Sequence, residues 1–163
     1  MDGSVMAPVR QVQVALFDID GVLTDGKVWV GPDGGETKVI TFEDVDAIFR
    51  LKKAGVTLGF LTGEDSAFCE YVQRRFEPDV LIRGCKDKLE AYERIANDRG
   101  WDRSQVCFTG DGWRDIPLLE YLEHTFAPTD APQDVRRAAK VVVAAPRGNG
   151  VVAEVAHWVL DKL

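Results

Sequence analysis

The stretch that most constrains the fold is Val14-Ala15-Leu16-Phe17, followed at once by Asp18 and Asp20. Four consecutive apolar residues fit a short strand buried on both faces. With the strand period of two, Asp18 and Asp20 project to the same side of its C-terminal end, about 7 Å apart along the chain. Like charges held that close raise each other's pKa and cost stability unless a cation sits between them. The pattern therefore asks for a metal, and a hard one, because its ligands are oxygens.

Downstream, apolar runs alternate with amphipathic ones. Lys27–Val30 and Thr37–Thr41 flank Gly31-Pro32-Asp33-Gly34-Gly35, a hairpin signal, and Trp29 and Val39 would be costly to expose. Such a hairpin serves as a flap over the site or as a subunit contact. Residues 44–53 read as a helix with Val45, Ile48, Phe49 and Leu51 inward, ending at Ala54-Gly55. Strands follow at 56–61, 80–82, 106–109, 125–127 and 140–144, separated by helices at about 66–76, 88–99, 116–122 and 134–139, with a closing helix at 151–163. This alternation predicts an α/β fold, a doubly wound, mainly parallel sheet with no cap domain and a β-hairpin flap after the first strand.

At 163 residues and 45% hydrophobic content, the chain fits one domain, 12–163, behind a polar leader, 1–11. A formal charge of -7 disfavours bulk attraction to nucleic acid or anionic membrane. A phosphorylated substrate must then be held by a few local cations and a metal. No stretch approaches the roughly 20 apolar residues of a membrane helix, and the leader lacks a signal peptide's apolar core, so a cytoplasmic location is expected. Cys69, Cys85 and Cys107 are odd in number and widely spaced, which reads as free thiols in a reducing compartment. With only His124 and His157, a zinc site or histidine-based triad is disfavoured.

In parallel sheets, ligands sit beyond the carboxyl ends of the strands. There the chain places Asp18 and Asp20, Thr62-Gly63, and Gly110-Asp111 with Asp115 four residues on, while Lys88 opens the helix after the third apolar strand. The set suits phosphoryl transfer through a covalent carboxylate. Asp18 would attack phosphorus, and Asp20 would protonate the leaving alcohol and then activate water. Asp18, Asp111 and the backbone carbonyl of Asp20 would hold Mg²⁺, with Thr62 and Lys88 on the remaining phosphoryl oxygens.

The motifs FDIDGVLTDG, LTGE, CKDK and GDGWRD, in that order and spacing, resemble the haloacid dehalogenase superfamily over almost the whole chain. The missing cap resembles its small phosphatases of 3-deoxy-2-keto sugar acids, which act on octulosonate 8-phosphate or nononate 9-phosphate. The resemblance implies Asp18 as nucleophile, Asp20 as acid/base, Thr62 and Lys88 as phosphate binders, Asp111 as metal ligand and Asp115 as a supporting carboxylate. It also implies a homotetramer with hairpins packed centrally. Thr62-Gly63-Glu64 resembles the nononate enzymes, where the glutamate contacts sugar hydroxyls. Arg74 or Arg75 would serve the substrate carboxylate of an adjoining subunit.

Gly112 stands where many members carry a second aspartate, and Ala153 and Arg147 depart from the usual C-terminal tail. Blander readings run beside these. An isolated Asp-x-Asp is ordinarily a solvated loop pair, Glu64 suits a helix's first turn on dipole grounds alone, and Arg74 and Arg75 fit a solvated helix face. Two alternative functions stay open: a broad-specificity sugar phosphatase, and a non-catalytic oligomerisation module like the phosphatase-like tails of cytidylyltransferases.

Overall fold

In the computed structural model, residues 12–163 are described, and the expected leader 1–11 lies outside them. Six strands form one parallel sheet: β1 (Val14–Phe17), β4 (Thr57–Leu61), β5 (Val80–Ile82), β6 (Val106–Thr109), β7 (His124–Ala127) and β8 (Val141–Val142). Two more, β2 (Trp29–Val30) and β3 (Glu36–Thr37), make a separate antiparallel hairpin. The sheet order is β5-β4-β1-β6-β7-β8. From β1 the chain builds outward through β4 and β5, then returns to lay β6 on the other side of β1. The order therefore reverses between β1 and β6, where a crevice opens at the strand ends.

Alternate residues of β1 feed two cores. Ala15 and Phe17 join one with α1 (Phe42–Lys53), α2 (Ala67–Phe76) and α6 (Val151–Leu160). Val14 and Leu16 join the other with α3 (Lys88–Arg99), α4 (Ile116–Tyr121) and α5 (Gln133–Ala138). Three helices on each face make the sheet doubly wound, as the alternation of apolar runs predicts. Gly59 of β4 lies under Leu16, where a Cβ would come within 2.5 Å of the leucine side chain. Cys69, Cys85 and Cys107 are free and buried, as expected.

Several boundaries differ from expectation. The hairpin strands are only two residues each, because the chain leaves the ladder at Lys38, whose ammonium turns inward to Asp20. Helix α1 starts at Phe42 rather than Asp44, capped by the Thr41 hydroxyl, which accepts from the Asp44 amide. Asp44 is instead fully buried. Its carboxylate accepts from the Thr41 hydroxyl and from the amides of Gly150 and Ala153, so it satisfies the open N-terminus of α6 across the core. Phe49, expected inward, is 39% exposed at the rim of α1, tilted against the Phe76 ring and under the Arg75 guanidinium. No cap domain is present among the described residues.

Candidate active site

Strand β1 delivers Asp18 to the crevice between β4 and β6. The chain then makes a wide turn over Ile19–Leu23, closed by the Thr24 amide donating to the Ile19 carbonyl at 3.0 Å. Gly21 sits in that turn at φ +85°, and a Cβ there would fall 1.8 Å from the Asp111 carboxylate. Only glycine lets the turn and Asp111 share this space. Gly110 does the same for Asp115, since its Cβ would meet that side chain at 2.5 Å.

Lys88, at the first turn of α3 and 3% exposed, is the hub. Its ammonium donates to Asp18 Oδ2 at 2.9 Å and to Asp115 Oδ1 at 2.5 Å. The other Asp115 oxygen accepts from the amides of Asp111 and Gly112, both at 2.9 Å. Asp115 thus shapes the loop after β6 and aims Asp111 inward. Thr62, 1% exposed at the end of β4, accepts from the Glu64 amide.

Burial raises the Asp18 carboxyl well above its ordinary value; Lys88 opposes that, while Asp115 and Asp111 add to it. Asp111 is pushed up to about 6, by burial first and then by Asp115, against the pull of Arg147 and Lys88. Burial pulls the Lys88 ammonium down, but Asp18 and Asp115 outweigh it and hold it above the ordinary lysine value. Excess negative charge of this kind marks a cation site. One carboxylate oxygen from each of Asp18, Asp111 and Asp115 lies within 4.8 Å of the others. The all-oxygen donor set fits a hard divalent ion. Asp115 has one oxygen on Lys88 and the other on two backbone amides, Asp18 has one on Lys88 and the other accepting from the Ile19 amide at 2.7 Å, and Asp111 faces Arg147 at 3.7 Å.

Asp20 lies apart from that cluster. Its carboxylate is held by Lys38 at 2.8 and 3.0 Å and by the Thr24 hydroxyl at 3.3 Å. A cleft of about 220 Å³ joins Asp18, Asp20, Thr62 and Asp115 with Gly63, Glu64 and the exposed Trp113 and Arg114. Arg74 and Arg75 stand exposed on α2 and do not line it. A larger groove, about 780 Å³ between α1, α6 and β8, contains none of the strand-end residues.

Three cations near the site escape sequence reasoning. Lys38 is 18 residues from Asp20, and Arg114 sits inside the last motif without a pattern of its own. Arg147 reaches to 3.7 Å from Asp111 from the C-terminal tail, where it is also bound to Asp130. The glycine-rich PRGNG context is the one signal that marks it, since Gly148 packs against the Thr24-Asp25 backbone.

Residues 79–155 match the family of haloacid dehalogenase-like hydrolases. The chain is 27% identical over 162 residues to 3-deoxy-D-manno-octulosonate 8-phosphate phosphatase of Yersinia pestis, covering 98% of this chain and 87% of that protein. With the Haemophilus influenzae phosphatase of the same name it shares 28% over 157 residues, 94% of this chain and 85% of the relative. The crystal structure of the Moraxella catarrhalis phosphatase of that name, in complex with magnesium, phosphate and KDO, superposes with a TM-score of 0.90. That pair shares 25% identity over 94% of this chain and 88% of the other. A cobalt-bound form of the Haemophilus influenzae enzyme gives a TM-score of 0.88 at 25% identity, over 94% and 90% of the two chains. With its carboxylates and lysine gathered at the strand ends, and with these relatives along nearly its whole length, the chain is similar throughout to capless phosphatases of the haloacid dehalogenase superfamily.

Proposed function

We propose that this phosphatase hydrolyses the phosphate monoester of a 3-deoxy-2-keto sugar acid, octulosonate 8-phosphate or nononate 9-phosphate, through an aspartyl-phosphate on Asp18. The observation that carries the chemistry is the buried Lys88 shared between Asp18 and Asp115, which line the cleft with Thr62 and have an Asp111 oxygen within 4.8 Å. The relatives' named substrate supports the sugar-acid class.

In the first half, an Asp18 oxygen attacks phosphorus, the bond from phosphorus to the sugar oxygen breaks, and Asp20 gives its proton to that oxygen. In the second half, water attacks phosphorus and yields a proton to Asp20. The bond from phosphorus to Asp18 then breaks, releasing inorganic phosphate and restoring both carboxyl groups. Thr62 and Lys88 donate to the phosphoryl oxygens as charge accumulates on them. Asp18, Asp111 and the Asp20 backbone carbonyl would hold Mg²⁺, with Asp115 buttressing them. When bound, the ion neutralises nucleophile and phosphate together.

Glu64, exposed and lining the cleft beside Gly63, would meet sugar hydroxyls. Arg74 and Arg75 would act only across a subunit boundary. The exposed hairpin residues Trp29, at 72%, and Val30, at 64%, support a homotetramer built on the hairpin, in which such a boundary would form. The test is a kinetic panel of phosphosugars with Mg²⁺. One strongly preferred keto acid phosphate is expected, whereas a flat profile favours a broad-specificity phosphatase. Release of phosphate from no ester would favour a non-catalytic module.

A further inference from the structure

Asp20 carries the proton in the proposed reaction, and a carboxylate on a turn is free to rotate unless something holds its plane. Here it is held from the hairpin. Lys38 follows β3 directly, and its side chain is 6% exposed although the hairpin beside it stands out in solvent. The ammonium donates to both Asp20 oxygens, at 2.8 and 3.0 Å, and the Thr24 hydroxyl donates to one of them at 3.3 Å. Thr24 is itself fixed, fully buried and accepting from the Gly26 amide at 3.2 Å. The Phe68 ring of α2 lies 5.5 Å from the Lys38 nitrogen and closes the other side. A lysine ordinarily keeps its ammonium in water, so seating it here costs rotamer entropy and solvation that only a definite partner offsets.

We infer that Lys38 is a positioning residue for Asp20, aiming its carboxyl at the leaving-group oxygen, and that the hairpin exists in part to deliver it. The inference rests on the phosphomonoesterase reading above. Asp18, Asp111, Asp115 and Lys88 form their own cluster, and no ion pair links it to Lys38 among the described residues. Removing Lys38 should therefore disturb proton delivery to the departing alkoxide while leaving attack by Asp18 and the hold on the phosphoryl group in place.

Leaving-group dependence reads this directly. An alkyl phosphate such as a sugar phosphate needs a proton as its bond to phosphorus breaks, whereas p-nitrophenolate departs without one. Positioned general acids contribute about 100-fold or more. In Lys38→Met, the ratio of kcat/KM on the alkyl ester to kcat/KM on p-nitrophenyl phosphate, which excludes the shared hydrolysis of the aspartyl-phosphate, should fall at least about 30-fold, with KM for the alkyl ester within about 3-fold of wild type. Lys38→Arg keeps two donors in reach and should hold the ratio within about 5-fold of wild type. Adding Lys38→Met to Asp20→Asn should cost nothing further on the alkyl ester, because the two act as one unit. If the methionine variant does not fold, Lys38→Gln carries the same expectation. An equal loss of kcat/KM on both esters, a change confined to KM, or full additivity with Asp20→Asn would overturn the assignment. Wild-type protein inactive on every ester would instead overturn the phosphatase reading itself.

Discussion

Replacing Asp111 by asparagine should stabilise the metal-free protein while destroying its response to Mg²⁺. A carboxyl displaced from the ordinary 3.8 to about 6 penalises the folded state by about 3 kcal/mol once it is ionised. The folded pKa lies above the unfolded one, so the folded chain holds the proton more tightly between about pH 4 and pH 6. Whatever stability that proton lends is present below pH 4 and lost as the pH rises through 6. Asparagine has nearly the same shape and never ionises. In EDTA at pH 7.5, urea unfolding should show Asp111→Asn more stable than wild type by up to about 3 kcal/mol, and at pH 4 the difference should vanish. Adding Mg²⁺ at 100 times its dissociation constant should raise the wild-type unfolding free energy by about 2.7 kcal/mol and leave the variant nearly unmoved. A variant no more stable than wild type at pH 7.5, or one still stabilised by Mg²⁺, would refute the claim that Asp111 is held ionised at a cost in order to bind the ion.

Two further changes probe the same cluster. Lys88→Met leaves Asp18 and Asp115 buried without their shared cation, so urea unfolding at pH 7.5 in EDTA should show a loss of about 3 to 5 kcal/mol. Gly21→Ala forces a Cβ to within 1.8 Å of Asp111 at a φ of +85°. It should lower the melting temperature and also abolish the Mg²⁺-induced rise, as calorimetry with and without the ion would show.

The cluster of carboxylates and lysine at the strand ends was legible in the sequence because its parts sit where chain geometry leaves little choice. Asp18, Thr62 and Asp111 each end an apolar run, and a parallel sheet brings such ends together. Lys88 and Asp115 follow within one helical turn of a loop. The parts that escaped are those joined only by tertiary packing. Lys38 meets Asp20 because a two-residue ladder ends early, and nothing in the alternation of residues 37–41 distinguishes it from a surface lysine. Asp44 resembled a helix start by its position, yet its carboxylate caps a different helix more than a hundred residues away. Phe49 fell in the apolar stripe by period but at its edge, where the neighbouring Arg75 covers it and water takes the rest. Arg74 and Arg75 lie on a face that one chain alone does not connect to the cleft.

The proposed mechanism stands on passage of the phosphate through a covalent bond to Asp18. A rapid acid quench of wild-type protein turning over a ³²P-labelled substrate with Mg²⁺ measures it most directly. The prediction is protein-bound label released by hydroxylamine, mapping to the peptide containing Asp18 and absent from a correctly folded, inactive Asp18→Asn variant. Steady turnover with no label on the protein at any quench time, or wild-type activity in Asp18→Asn, would contradict it.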